Sequence, residues 1–109
     1  TDIRLLSVRS NGQAVIEMKL ANNGYTIPDL EKALAEQLVG QYMQHDNCRA
    51  GCLLVTMSKA RHWDCPDTGA KLNFEAVLAR LRTQAAELEM RMNHEVRLAV
   101  VGIDLTEAF

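Results

Sequence analysis

No apolar run in this chain of 109 residues approaches the ~18 residues of a membrane-spanning helix, which excludes a helical span. No positively charged and then apolar stretch with a small-residue cleavage site opens the sequence, so no signal peptide is visible. The first residue is Thr1 rather than Met, and the chain is expected to be a fragment of a larger protein. Charge of one sign is also lacking: 12 Lys and Arg stand against 14 Asp and Glu, a net charge of −2. No global positive field draws such a chain to nucleic acid, and binding of that kind would need a local basic cluster or a neighbouring domain. Cysteine is sparse. Cys48, Cys52 and Cys65 leave one thiol over whatever bridges form, and without an export signal the simpler expectation is reduced thiols in the cytoplasm. Repeats and low-complexity stretches are absent. What is present is 48% hydrophobic and 24% charged, an ordinary globular balance in a length that suits one domain, residues 1–109.

Residues 2–9 read as a strand, Ser10-Asn11-Gly12 as a turn and 13–20 as a second strand, because Asn-Gly between alternating segments is a strong hairpin signal. In the second strand Ala14, Ile16, Met18 and Leu20 face one way and Gln13, Val15, Glu17 and Lys19 the other. Thr26 is placed to cap a helix with Pro28 and Asp29 in its first turn. That helix runs to about Gln44 with Leu30, Leu34 and Leu38 as its apolar stripe. The continuous apolar run 51–57 suits a strand buried on both faces. Residues 58–72 read as a loop. Asn73 then caps a helix reaching about Met92, and 96–103 form the last strand. Strand, strand, helix, strand, helix, strand implies an α/β fold with a mixed sheet, its later strands joined by parallel crossovers.

Glu17 and Lys19 are two positions apart in a strand and project from one face, the face on which Asp2 also falls. Two carboxylates and the Met18 carbonyl would suit a hard divalent cation. An ammonium beside it would orient water or offset charge developing on a phosphate. Register is the obstacle. A tight Asn11-Gly12 turn sets Glu17 opposite Leu6 and leaves Asp2 about 13 Å along the strand, too far to share one Mg²⁺. A wider loop over Ser7 to Gly12 would bring Asp2 opposite Glu17, a bulge would also help, and the metal reading expects the Asn-Gly signal to be partly overridden.

Asp2-Ile3-Arg4, a hairpin, Ile16-Glu17-Met18-Lys19 and a helix bearing Gln37-Leu38 and Gln41-Tyr42 together resemble the PD-(D/E)XK nuclease superfamily. Leu53-Leu54-Val55, Trp63-Asp64, the helix from Leu78 to Leu88 and Val100-Val101-Gly102-Ile103-Asp104 extend the resemblance over nearly the whole chain, toward a bacterial branch found as a C-terminal domain of large multidomain proteins, some linked to phage defence. The resemblance implies a restriction endonuclease-like core in the order β-β-α-β-α-β whose N-terminal helix is missing here. It implies a nuclease that hydrolyses phosphodiesters of nucleic acid, DNA above all, with Mg²⁺ or Mn²⁺ in its place. Asp2 and Glu17 would hold the ion with the Met18 carbonyl, Lys19 would be the catalytic lysine, and Gln37 would join from the helix. Tyr42 lies five positions from Gln37, which at 100° per residue turns it well away around an α-helix, so Gln41 is the same-face neighbour.

Lys59 and Arg61 follow the third strand at its C-terminal end, where ligands of open α/β sheets sit, and are the candidates for nucleic-acid phosphates. Trp63 would either stack on a base or plug the core edge. Arg80, Arg82, Glu87, Glu89 and Arg91 read as a solvated helix face. Two other classes of function compete with hydrolysis. The same fold without catalysis would be a docking or regulatory module among other domains of its polypeptide. His45, Cys48, Cys52, His62 and Cys65 offer zinc-type ligands, although their spacing matches no standard finger.

Overall fold

The structure is a computed structural model that describes residues 3–9, 12–42 and 48–107, with side chains described for 14–40 and 49–107. Asp2 lies outside the described residues. Strand β1 (Ile3–Arg9) runs antiparallel to β2 (Gly12–Leu20). Helix α1 (Ile27–Lys32) continues without a break into a π-helical segment, Ala33–Tyr42. Then come β3 (Cys48–Met57), β4 (Trp63–Asp64), β5 (Lys71–Leu72), helix α2 (Phe74–Arg91) and β6 (Arg97–Asp104). The main sheet has the order β1-β2-β3-β6, with β2, β3 and β6 parallel. This is the expected mixed α/β arrangement, with helical crossovers between the parallel strands. Within 58–72, expected as loop, β4 and β5 form a short antiparallel hairpin of their own.

Local chemistry accounts for the helix starts. The Thr26 hydroxyl accepts from the Asp29 N–H while the Asp29 carboxylate accepts from the Thr26 N–H, a capping box. Asn73 caps α2 by accepting from the Ala76 N–H. Leu30, Leu34 and Leu38 are all fully buried, as their spacing implies. The departure lies after Lys32. From Ala33 the turn widens to i→i+5 bonding, so the 100° per residue that separates Gln37 from Tyr42 in an α-helix does not apply.

Register and burial overturn two expectations. Arg9 pairs with Gly12, leaving only two residues between β1 and β2, and Glu17 stands opposite Arg4. The wide loop over Ser7 to Gly12 therefore does not form, but the two-residue connection shifts by one toward the N-terminus, so the Asn11-Gly12 turn is displaced and the partner of Glu17 moves from Leu6 to Arg4. The second correction concerns the sheet faces. Val15, Glu17 and Lys19 of β2 lie in rows with Gly51, Leu53 and Val55 of β3 and with Leu98, Val100 and Gly102 of β6. The helices pack on this face, against each other and against the sheet. Ile16, Met18, Cys52 and Leu54 on the opposite face are only half-buried, and Val101 and Ile103 are 42% and 40% exposed. The run 51–57 is accordingly enclosed on one face rather than both.

Close approach of α2 to β6 depends on Gly102. A Cβ there would meet Leu78 Cδ1, with Cδ2 at 2.8 Å and Cγ at 3.0 Å, and Leu78 is itself buried. Gly102→Ala is expected to cost about 1–3 kcal/mol by overpacking, and less in a Leu78→Ala background. A double-mutant cycle on urea midpoints checks the coupling.

The free edge of β6 is guarded. Glu89 accepts from the Leu98 N–H at 3.1 Å and Arg82 donates to the Val100 carbonyl at 3.1 Å. In a parallel ladder a residue's N–H and C=O point to the same side, so these α2 side chains cap edge groups that another strand would otherwise pair with. The charged face of α2 is thus partly structural, not merely solvated.

Candidate active site

The described core contains two charged side chains, Glu17 and Lys19, at 1% and 2% exposure. Lys19 Nζ lies 3.5 Å from Glu17 Oε1. Both sit on the helix-covered face of β2, with Lys19 one residue before the strand's end. Leu20, Thr56 and Ile103 share the last row, so the site is at the carboxyl ends of the three parallel strands, where open α/β sheets place ligands. Enclosing two opposite charges among Val15, Leu53, Val55 and Val100 is costly even when they are paired. Arrangements of that kind concentrate at functional sites.

The segment after β2 is fastened above this pair. Ala21–Asn23 make one 3₁₀ turn, and Gly24 at φ 84° reverses the chain, a conformation with little penalty for glycine. Asn22 Oδ1 accepts from the Ser58 N–H, the Ser58 hydroxyl and the Lys59 N–H, while its Nδ2 donates to the Lys59 carbonyl. Nothing in a lone Asn near a Gly announces this latch between the ends of β2 and β3. Tyr25 follows. Lys19 Nζ lies 5.1 Å from the centre of its ring, and its carbonyl accepts from Trp63 Nε1 at 3.0 Å. Trp63 is buried, stacked against Phe74 with ring centres 6.1 Å apart, which places it in the core.

The remaining candidates are distributed unevenly. Met18 is paired on both sides, with Ile3 and with Leu54, so its carbonyl lies within the ladder; a carbonyl has two lone pairs, and one bond does not exhaust it. Gln37 is half-buried on the π-helical segment, and its Oε1 is buried with no hydrogen-bond partner among the described residues. Lys59 is exposed beside a hollow of about 690 Å³ that it lines with Ser58, Ala60 and Thr106. Arg61 is only half-exposed, because Nη1 donates to the Ala21 carbonyl at 2.8 Å and the guanidinium lies 4.3 Å from the centre of the Trp63 ring. It braces the turn after β2, a role its position in sequence did not suggest.

Among the described residues the zinc candidates do not gather. No group of three or more His, Cys, Asp or Glu side chains forms a metal-type cluster among the described residues, and His45 and the Cys48 side chain lie outside them. Cys65 has a different environment. The Thr68 hydroxyl and the Asp67 and Thr68 N–H groups donate toward its sulfur and hold its pKa below the ordinary thiol value, with Arg80 Nη1 3.8 Å away. Burial pushes the Cys52 thiol up. Thiolate is the reacting form, so iodoacetamide is expected to modify Cys65 well before Cys52, at a pH below that of a free thiol. Peptide mapping of a brief alkylation series from pH 6 to 9 reads the order.

Comparison of the chain with family models, with curated proteins and with solved structures finds no match in any of the three.

Proposed function

We infer that this chain is a metal-dependent phosphodiester hydrolase domain acting on nucleic acid, DNA above all. One observation carries the reading: Glu17 and Lys19, in the spacing of Glu-x-Lys, form an enclosed carboxylate–ammonium pair at the carboxyl edge of a parallel sheet. The strand order and the antiparallel β1–β2 hairpin leading into β2 support a restriction endonuclease-like core, as the resemblance to PD-(D/E)XK nucleases implies.

The donor chemistry suits Mg²⁺, or Mn²⁺ as substitute, in kind: Glu17 offers a carboxylate and Met18 a carbonyl, both hard oxygens. Asp2 would complete the set: it lies two residues in sequence before Arg4, the partner of Glu17, where an Asn11-Gly12 turn would have left four. Such an ion, when bound, polarises the phosphate and lowers the pKa of a coordinated water. Lys19 then donates to the attacking water or to the oxygen on which charge develops, and the enclosed setting strengthens that interaction. The buried, unmatched Gln37 amide oxygen is an acceptor for a donor brought by substrate or water. Lys59 meets the nucleic-acid backbone from the exposed rim, with Arg61 bracing the turn beneath it. The setting is cytoplasmic, with other domains and a part in phage defence as the branch resemblance implies.

The test is Mn²⁺-dependent cutting of DNA by the full-length polypeptide. Wild type is expected to cut, and Lys19→Ala to lose about 10²–10³-fold in rate, the usual cost of removing one donor to developing charge. Wild type that neither cuts nor binds metal overturns the reading. A second reading, a non-catalytic docking module, is favoured by the half-open apolar face bearing Val101 and Ile103. Capture of another domain of the same polypeptide without cleavage would select it.

A further inference from the structure

We propose that Tyr25 is a positioning residue for Lys19, its ring holding the ammonium in place against Glu17. The inference deepens the hydrolytic reading and rests on it for the effect on rate, but the geometry it describes stands apart from that reading. Three observations converge. Lys19 Nζ is 5.1 Å from the Tyr25 ring centre, within the ~6 Å over which a ring face attracts a cation. Lys19 is 2% exposed, so water offers its charge little solvation and the ring face becomes a substantial part of its surroundings, together with Glu17 Oε1 at 3.5 Å. Tyr25 is itself held from behind, its carbonyl bound by Trp63 Nε1 at 3.0 Å and the turn before it latched by Asn22 to Ser58 and Lys59.

These contacts hold the backbone from which the ring projects before any substrate arrives. A lysine has four rotatable side-chain bonds, and an ammonium that wanders over them is a poor donor to one developing charge. Glu17 restrains the ammonium from one direction, and the ring restrains it from another. The attraction is to the ring face, which phenylalanine presents as well. Phenylalanine should therefore replace Tyr25, whereas an aliphatic side chain of similar bulk should not.

The experiment compares wild type, Tyr25→Phe and Tyr25→Leu in the full chain labelled at lysine with ¹³C and ¹⁵N. A variant carrying trifluorinated phenylalanine at position 25 keeps the ring shape while weakening its negative face. Lys19 methylene resonances are expected well upfield in wild type and Tyr25→Phe, and near ordinary lysine positions in Tyr25→Leu. The rate of Mn²⁺-dependent DNA cutting is expected to fall about tenfold at saturating substrate in Tyr25→Leu and in the fluorinated variant, with KM little changed, and to be retained in Tyr25→Phe. Should Tyr25→Leu fail to fold, the fluorinated variant carries the rate comparison and the wild-type and Tyr25→Phe shifts carry the geometry. Unshifted Lys19 resonances in wild type overturn the proposal, as does a fluorinated variant as fast as Tyr25→Phe. A wild type that cuts no DNA defeats the hydrolytic reading alone; the resonances still decide the placement of Lys19.

Discussion

Replacing Lys19 alone by Met is expected to destabilise the fold by about 3–5 kcal/mol, a large share of the 5–15 kcal/mol that holds a domain of this size together. The Glu17 carboxylate would remain in a face lined by Val15, Leu53, Val55 and Val100, at 1% exposure, with its ammonium gone. Replacing both, as Glu17→Leu with Lys19→Met, is expected to return stability to the wild-type level or to exceed it by about 1–4 kcal/mol, because the desolvation of two charges disappears with them. The sign change between single and double variants distinguishes an enclosed pair from a surface one, for which each single loss would cost about 1 kcal/mol or less. Urea unfolding at constant m-value measures it. The stabilised double variant should be inert as a hydrolase, since the residues that burden the fold are those assigned to the chemistry.

Trp63→Ala is expected to cost about 3–5 kcal/mol, as for other large core aromatics. The indole supplies more than volume. It stacks on Phe74, lies beneath Arg61, and its Nε1 holds the Tyr25 carbonyl. Trp63→Phe retains much of the ring and leaves that carbonyl without the indole donor, so an intermediate loss of about 1–3 kcal/mol is expected. Thermal and urea unfolding check both. Because Trp63 fixes Tyr25, Trp63→Phe should also disturb the Lys19 resonances, which a purely volumetric role would leave in place.

Several of these features were readable in the chain. The Leu30-Leu34-Leu38 stripe and the Thr26 and Asn73 caps are short-range patterns, set by spacing within one or two turns, and they fall where the spacing places them. Parallel crossovers follow from the alternation of strands with helices. The inward face of β2 was not readable. Its alternation separates Ile16 and Met18 from Glu17 and Lys19, and hydropathy favours the first pair for the interior. The outcome was decided elsewhere, by the helices packing on the row of Glu17, Leu53 and Val100. A local pattern fixes which residues share a face but not which face a distant helix covers.

The same limit applies to the widened π-helical turn after Lys32, which departs from α-helical spacing, and to the one-residue shift of the tight β1–β2 connection. It applies also to Asn22, Arg61, Arg82 and Glu89. Their partners are 36–37, 40, 18 and 9 residues away, and single polar side chains carry no sign of which backbone groups they will satisfy. Glu-x-Lys was legible as a motif from the outset. Its enclosure, which is the strongest argument for its use, came only with the fold.

Manganese binding measured by electron paramagnetic resonance, on wild type and on Glu17→Gln shown by circular dichroism to remain folded, tests the hydrolytic account most directly. The account predicts one site per chain in wild type that is lost or greatly weakened when the Glu17 carboxylate becomes an amide. Equal Mn²⁺ binding by the two proteins, or none by wild type, would contradict it.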